Sequence, residues 1–165
     1  MSLFDIGPTT RFTATRYAVT LALLAVPAVV SAQALQPGAW NIKGTVVELV
    51  SPGTPGLLLK MARGQSKTER ICLAATDAKT GVAVLLRPKP EMKCTIVKSV
   101  IAGGRIDDIM SCQTNKSGAV SIARTGTYNA SGFSLRLTMT GRNEKGATRV
   151  VADQVAKFGG ASCRK

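Results

Sequence analysis

Four cysteines, nine carboxylates and no histidine set the limits of the chemistry this chain can perform. Without an imidazole, neither a Ser-His-Asp triad nor a Cys-His pair can be assembled, which closes the usual routes to an activated hydroxyl or thiol. Zinc sites built on sulfur favour closely spaced thiolates, and Cys72, Cys94, Cys112 and Cys163 contain no Cys-x-x-Cys pair, so no metal or other cofactor is expected. Carboxylate chemistry would need two of Glu48, Glu69, Asp77, Glu91, Asp107, Asp108, Glu144 and Asp153 to converge. Asp107 and Asp108 are neighbours in a predicted strand, and such neighbours point to opposite faces. A solvated acid near the turn, paired with Arg105, is expected; the alternative turns one of the two inward. Gly103-Gly104 reads as a hairpin turn, with no helix behind it to offer an N-terminus to a phosphate. The chain is not expected to be an enzyme.

An even set of cysteines has a plainer use, as two disulfides in an oxidising compartment. The N-terminus points the same way. Arg11 and Arg16 precede an apolar stretch from Tyr17 to Val30, and Ser31-Ala32-Gln33-Ala34 then supplies small residues for a signal peptidase. This predicts a secretory signal peptide over residues 1–34, cleaved after Ala34, with Ala32 as the alternative. The apolar stretch is shorter than the ~20 residues a bilayer span needs, so an uncleaved anchor is the lesser reading. No cysteine stands at the cleavage site to be acylated, because the first is Cys72. The mature chain, residues 35–165, is expected to be periplasmic or secreted and to contain no transmembrane segment.

That mature chain has 20 basic against 8 acidic residues, and 131 residues suffice for one domain with its own core. High positive charge normally suggests polyanions. Here the cations are scattered, and Trp40, Tyr128, Phe133 and Phe158 are the only aromatics left for stacking, which argues against nucleic acid. Anionic lipid headgroups or envelope polysaccharides are the more natural counterparts, and a solvated basic surface with no specific partner is the leading expectation.

The elements that must position these residues are mostly strands. Trp40, Ile42, Gly44 and Val46 fall on one face of a segment ending at Val50. Ser51-Pro52-Gly53-Thr54-Pro55-Gly56 breaks it. Leu57–Met61 and Thr68–Leu73 read as two further strand pieces. A helix is predicted from Thr76, its cap, to about Leu86, ahead of Pro88. Beyond it, Cys94–Ile101, Arg105–Gln113, Ala119–Tyr128, Phe133–Thr140 and Thr148–Phe158 form an antiparallel meander. Leu135, Leu137 and Met139 alternate with Ser134, Arg136 and Thr138, giving one apolar and one wet face. The fold class is therefore mostly β: a single antiparallel domain forming a curved sheet or half-barrel, with one short helix and two disulfides.

Register yields the bridges. A three-residue Ala102-Gly103-Gly104 loop pairs Ile101 with Arg105 and sets Cys94 opposite Cys112, within disulfide reach. Cys72 then bridges to Cys163. The two other connectivities stay open, and a slip of one residue would put Cys94 and Cys112 on opposite faces. Trp40, the single tryptophan, is expected to plug the sheet core, with the wall of a ligand cavity as the alternative.

Pro37-Gly38-Ala39-Trp40, Cys72-Leu73 before a short helix, Cys94 and Cys112 in successive strands and a terminal Cys163 together resemble domain-of-unknown-function family 3617. The resemblance spans nearly the whole mature chain. It implies a small exported protein of Gram-negative bacteria, a periplasmic or envelope location and an antiparallel β fold, and it implies no activity. Three functional readings follow. The first is a non-enzymatic binding or interaction module that holds a small apolar ligand, a partner strand or another envelope protein. The second is a basic structural protein on anionic envelope surfaces. The third is an enzyme working through converging carboxylates or a Ser/Lys pair.

Overall fold

The computed structural model describes residues 34–114 and 118–163. The predicted leader lies outside the described residues except for Ala34 at its boundary. Seven strands form one open antiparallel sheet in the order β2-β1-β7-β6-β5-β4-β3. They are β1 (Gly38–Val50), β2 (Ser66–Leu73), β3 (Lys93–Ala102), β4 (Arg105–Thr114), β5 (Gly118–Asn129), β6 (Gly132–Asn143) and β7 (Gly146–Gly160). The meander β3 to β7 is as the alternation predicted, and β1 closes onto β7 through Ile42↔Ala156 and Gly44↔Gln154.

Two tight turns use the same device. Asn129 Oδ1 accepts from the Ser131 amide at 2.9 Å, and Asn143 Oδ1 accepts from the Lys145 amide at 2.9 Å. An asparagine that bonds the backbone two residues on mimics a turn with its own side chain. The β3–β4 turn instead has Gly103 and Gly104 at φ 57° and 77°, the paired positive values that suit a two-residue hairpin.

That turn corrects the predicted loop. Two residues, not three, close it: Ala102 faces Arg105, and Ile101 faces Ile106. Taken alone, this slip of one would separate the cysteines. A bulge between Ile96 and Lys98 takes up the extra residue, and Cys94 again faces Cys112. They are disulfide-bonded, as are Cys72 and Cys163.

Leu57–Met61, expected as a strand, lies in a helix, α1 (Gly56–Ala62). Three consecutive leucines carry no period-two alternation, and Leu-Leu-Leu-Lys-Met-Ala contains only strong helix formers and no β-branched residue. Pro55, at φ −54°, presets the entry. The helix predicted from Thr76 to Leu86 shrinks to one turn, α2 (Ala75–Ala78), followed by a 3-10 turn at Val82–Val84. Ala74, not Thr76, occupies the cap position, without a side-chain cap bond. Gly81 at φ 75° is the break between the two turns, since an α-helix cannot continue through a positive φ.

β2 and β3 are consecutive in sequence but occupy opposite edges of the sheet. Their connection must therefore pass over one face of the sheet, here called the inner face, and it does so with its apolar side chains inward. Ala78, Val82 and Leu86 are buried against Trp40, Phe133, Leu135, Ile106 and Tyr128 in one core cluster. Trp40 is 0% exposed, donates from Nε1 to the Gln36 carbonyl at 2.9 Å, and meets Phe158 edge-on at 5.8 Å. A second, smaller cluster of Met110, Cys112, Val120 and Ile122 continues the inner face past this core.

Gly126 leaves no room for a side chain between β5 and β6. A Cβ there would lie 2.2 Å from the Ser134 carbonyl oxygen and 2.6 Å from the Leu135 Cα. Backbone atoms cannot swing aside as a side-chain tip can. Gly126→Ala is expected to destabilise the fold by about 1–3 kcal/mol. Denaturant titration checks this: the midpoint should fall with an unchanged slope, and an unmoved midpoint would show that the strands part there without cost.

Candidate functional site

On the inner face, strand alternation brings one acid and one base together. On β4 the inward residues are Ile106, Asp108, Met110 and Cys112, all buried. On β5 they include Val120, Ile122, Arg124 and Tyr128, also buried. The register sets Asp108 directly opposite Arg124. Arg124 donates from Nε to Asp108 Oδ1 at 2.9 Å and from Nη2 to Oδ2 at 2.6 Å, a two-pronged pair. Its Nη1 donates to the Leu86 carbonyl at 2.5 Å. One guanidinium thus holds the carboxylate of its neighbouring strand and the backbone of the crossing connection.

This replaces the expected pairing of an acid with Arg105. Asp107, on the outer face, pairs with Lys98 at 2.5 Å, while Asp108 turns inward to Arg124. Sequence reasoning missed Arg124, although the signal was present: a single cation in phase with Val120, Ile122 and Tyr128, beside a strand carrying a single acid in phase with Ile106, Met110 and Cys112.

Beside Arg124, between the sheet and the Leu85–Pro90 part of the connection, lies a cleft of about 360 Å3. Ile42, Ile71, Leu85, Leu86, Phe133 and Leu137 supply apolar walls, and Glu69, Arg87, Lys89, Arg124 and Gln154 supply polar groups. A wider depression of about 660 Å3 at the Tyr128–Phe133 end of β5 and β6 is shallow and open to solvent, and no Asp, Glu or Arg lines it.

Both oxygens of Asp108 accept hydrogen bonds from Arg124. Glu69 is the one carboxylate among the residues that line the cleft. Among the described residues, no three His, Cys, Asp or Glu side chains gather as metal ligands. On the outer face, hydrogen bonds from Arg136 to Asp153 at 2.8 and 3.1 Å hold the Asp153 carboxyl below its ordinary value and raise Arg136. What that exposed pair adds to stability is present at neutral pH and is lost as acid protonates Asp153. Trp40 belongs to the core and does not line the cleft.

No helix among the described residues is long and apolar enough to cross a membrane. The open antiparallel sheet and its two disulfides define a small β domain of an oxidising, non-cytoplasmic compartment. The chain belongs to the family described as protein of unknown function (DUF3617), which it matches over residues 35–163. Nothing in that description gives a sign of enzymatic activity. No curated protein and no solved structure matches the chain.

Proposed function

We propose that this is an exported periplasmic binding module that holds a small, mainly apolar ligand in the cleft beneath the β2–β3 connection. The observation that carries this reading is the cleft itself, whose volume of about 360 Å3 falls in the ~300–1,000 Å3 range of small-molecule sites. Six apolar side chains would enclose the body of the ligand. Arg87 and Lys89, at the same site, would favour a polar or anionic end, because they outnumber the single Glu69. The absence of an imidazole and the neutralised Asp108 support binding over turnover.

Native mass spectrometry of protein purified gently from the exporting cell tests this. A bound adduct of a few hundred daltons is expected on the native protein. It should be lost from Gln154→Trp, in which an indole fills the cleft from a half-buried strand position. An adduct that persists unchanged in this folded variant would place the ligand elsewhere, and ligand-free protein from every preparation would remove the reading.

A further inference from the structure

The seven-residue helix α1 interrupts what would otherwise be a continuous β1–β2 hairpin, and it buries none of its side chains. Leu57, Leu58 and Met61 are 70%, 55% and 61% exposed. At 100° per residue these three fall within one arc of about 100°, and Leu59 lies on the opposite side of the helix. Val47 and Val50, at the end of β1, are also exposed. Lone apolar residues on a surface are ordinary, but three on one turn and a half of helix form a patch.

The segment that carries the patch has charges of one sign. From Ser51 to Ser66 the only ionisable residues are Lys60 and Arg63, with no acid. Lys60 sits in the last turn, and Arg63, just past the helix, is tied to the Leu49 carbonyl at 3.4 Å. Of the acids on neighbouring strands and loops, Glu48 is paired with Arg149 and Glu144 lies by the Pro52–Thr54 loop. An apolar arc on a segment that carries cations and no acid matches a bilayer surface of anionic headgroups over acyl chains. A second copy fits poorly: three side chains fall far short of the ~800 Å2 per partner of a stable dimer, and a chain of net charge +13 repels itself.

We propose that α1 is a lipid-docking element, which seats Leu57, Leu58 and Met61 in an anionic bilayer surface with Lys60 and Arg63 at headgroup level. The docking surface is separate from the cleft and does not depend on a ligand there.

Co-sedimentation with vesicles of equal parts phosphatidylglycerol and phosphatidylcholine tests it, with pure phosphatidylcholine as the control. The protein should be retained on the anionic vesicles and released by salt. Lys60→Gln/Arg63→Gln should weaken retention about thirtyfold, and Leu57→Ser/Leu58→Ser/Met61→Ser at least about tenfold. The cleft variant Gln154→Trp should bind vesicles normally, which keeps the two readings distinguishable. As a second readout, Leu58→Trp should shift its emission to the blue on anionic vesicles only, over the constant signal of buried Trp40. Equal retention of the serine variant would show that diffuse charge alone holds the protein, and would overturn the proposal. So would the absence of any retention, or a concentration-dependent dimer that the serine substitutions abolish.

Discussion

Arg124→Met is expected to lower the free energy of unfolding by about 3–5 kcal/mol, the cost of leaving one member of a buried ion pair uncompensated. The substitution strands two acceptors at once. Asp108 loses both of its charge-assisted bonds, and the Leu86 carbonyl loses its donor. Asp108 has no easy route to water, since it is 4% exposed. The double variant Asp108→Leu/Arg124→Met should recover most of the loss, because replacing a whole buried pair with apolar side chains is often neutral or better. A double-mutant cycle in guanidinium, followed by Trp40 fluorescence with the disulfides intact, measures both effects. Single substitutions that each cost less than about 1 kcal/mol, or effects that simply add, would show that the pair is not coupled.

Removing the Cys72–Cys163 bridge is the second change expected to be large. It closes a loop of sequence separation 91, whereas Cys94–Cys112 closes one of 18. In the chain-entropy account, the stabilisation grows with the logarithm of loop length. Cys72→Ala/Cys163→Ala should therefore cost about 4–5 kcal/mol and Cys94→Ala/Cys112→Ala about 3 kcal/mol. Urea unfolding of the two double variants gives the comparison. The reverse order would mean that the short bridge, which spans the bulge-adjusted end of the β3–β4 hairpin, contributes more through the native state than through the unfolded chain.

The strands were legible because each carries its own evidence. Ser134 to Met139 alternates without error, and that period survives in β6 as the alternately buried and exposed side chains of Phe133 to Arg136. The Cys94–Cys112 pairing follows from two offsets of one residue that cancel. The turn was assigned a residue too many, and the bulge at Val97 restored the phase. A bulge depends on how β3 must bend along β4, which no local pattern records. The helix at Leu57–Met61 was missed for a different reason. The absence of alternation was visible, and the expectation of a hairpin outweighed it. The inward turn of Asp108 was weighed as the lesser alternative, yet its phase with Ile106 and Met110 decides the question once β4 is placed with that face on the core. The cleft lay beyond reading, because it exists between the sheet and a connection whose path follows from strand order alone.

That path has a mechanical consequence. The chain from Leu73 to Lys93 leaves one edge of the sheet and reaches the other, so it lies over one face as a strap. The spacing of the strands is set by their own hydrogen bonds, and the strap carries more chain than that width requires. The Arg124–Leu86 bond fastens it to β5. Residues added or removed between Ala74 and Met92 would therefore leave the sheet as it is and change only the loop beside that fastening. Within one fold, the length of this segment can alter the cleft without disturbing the strands.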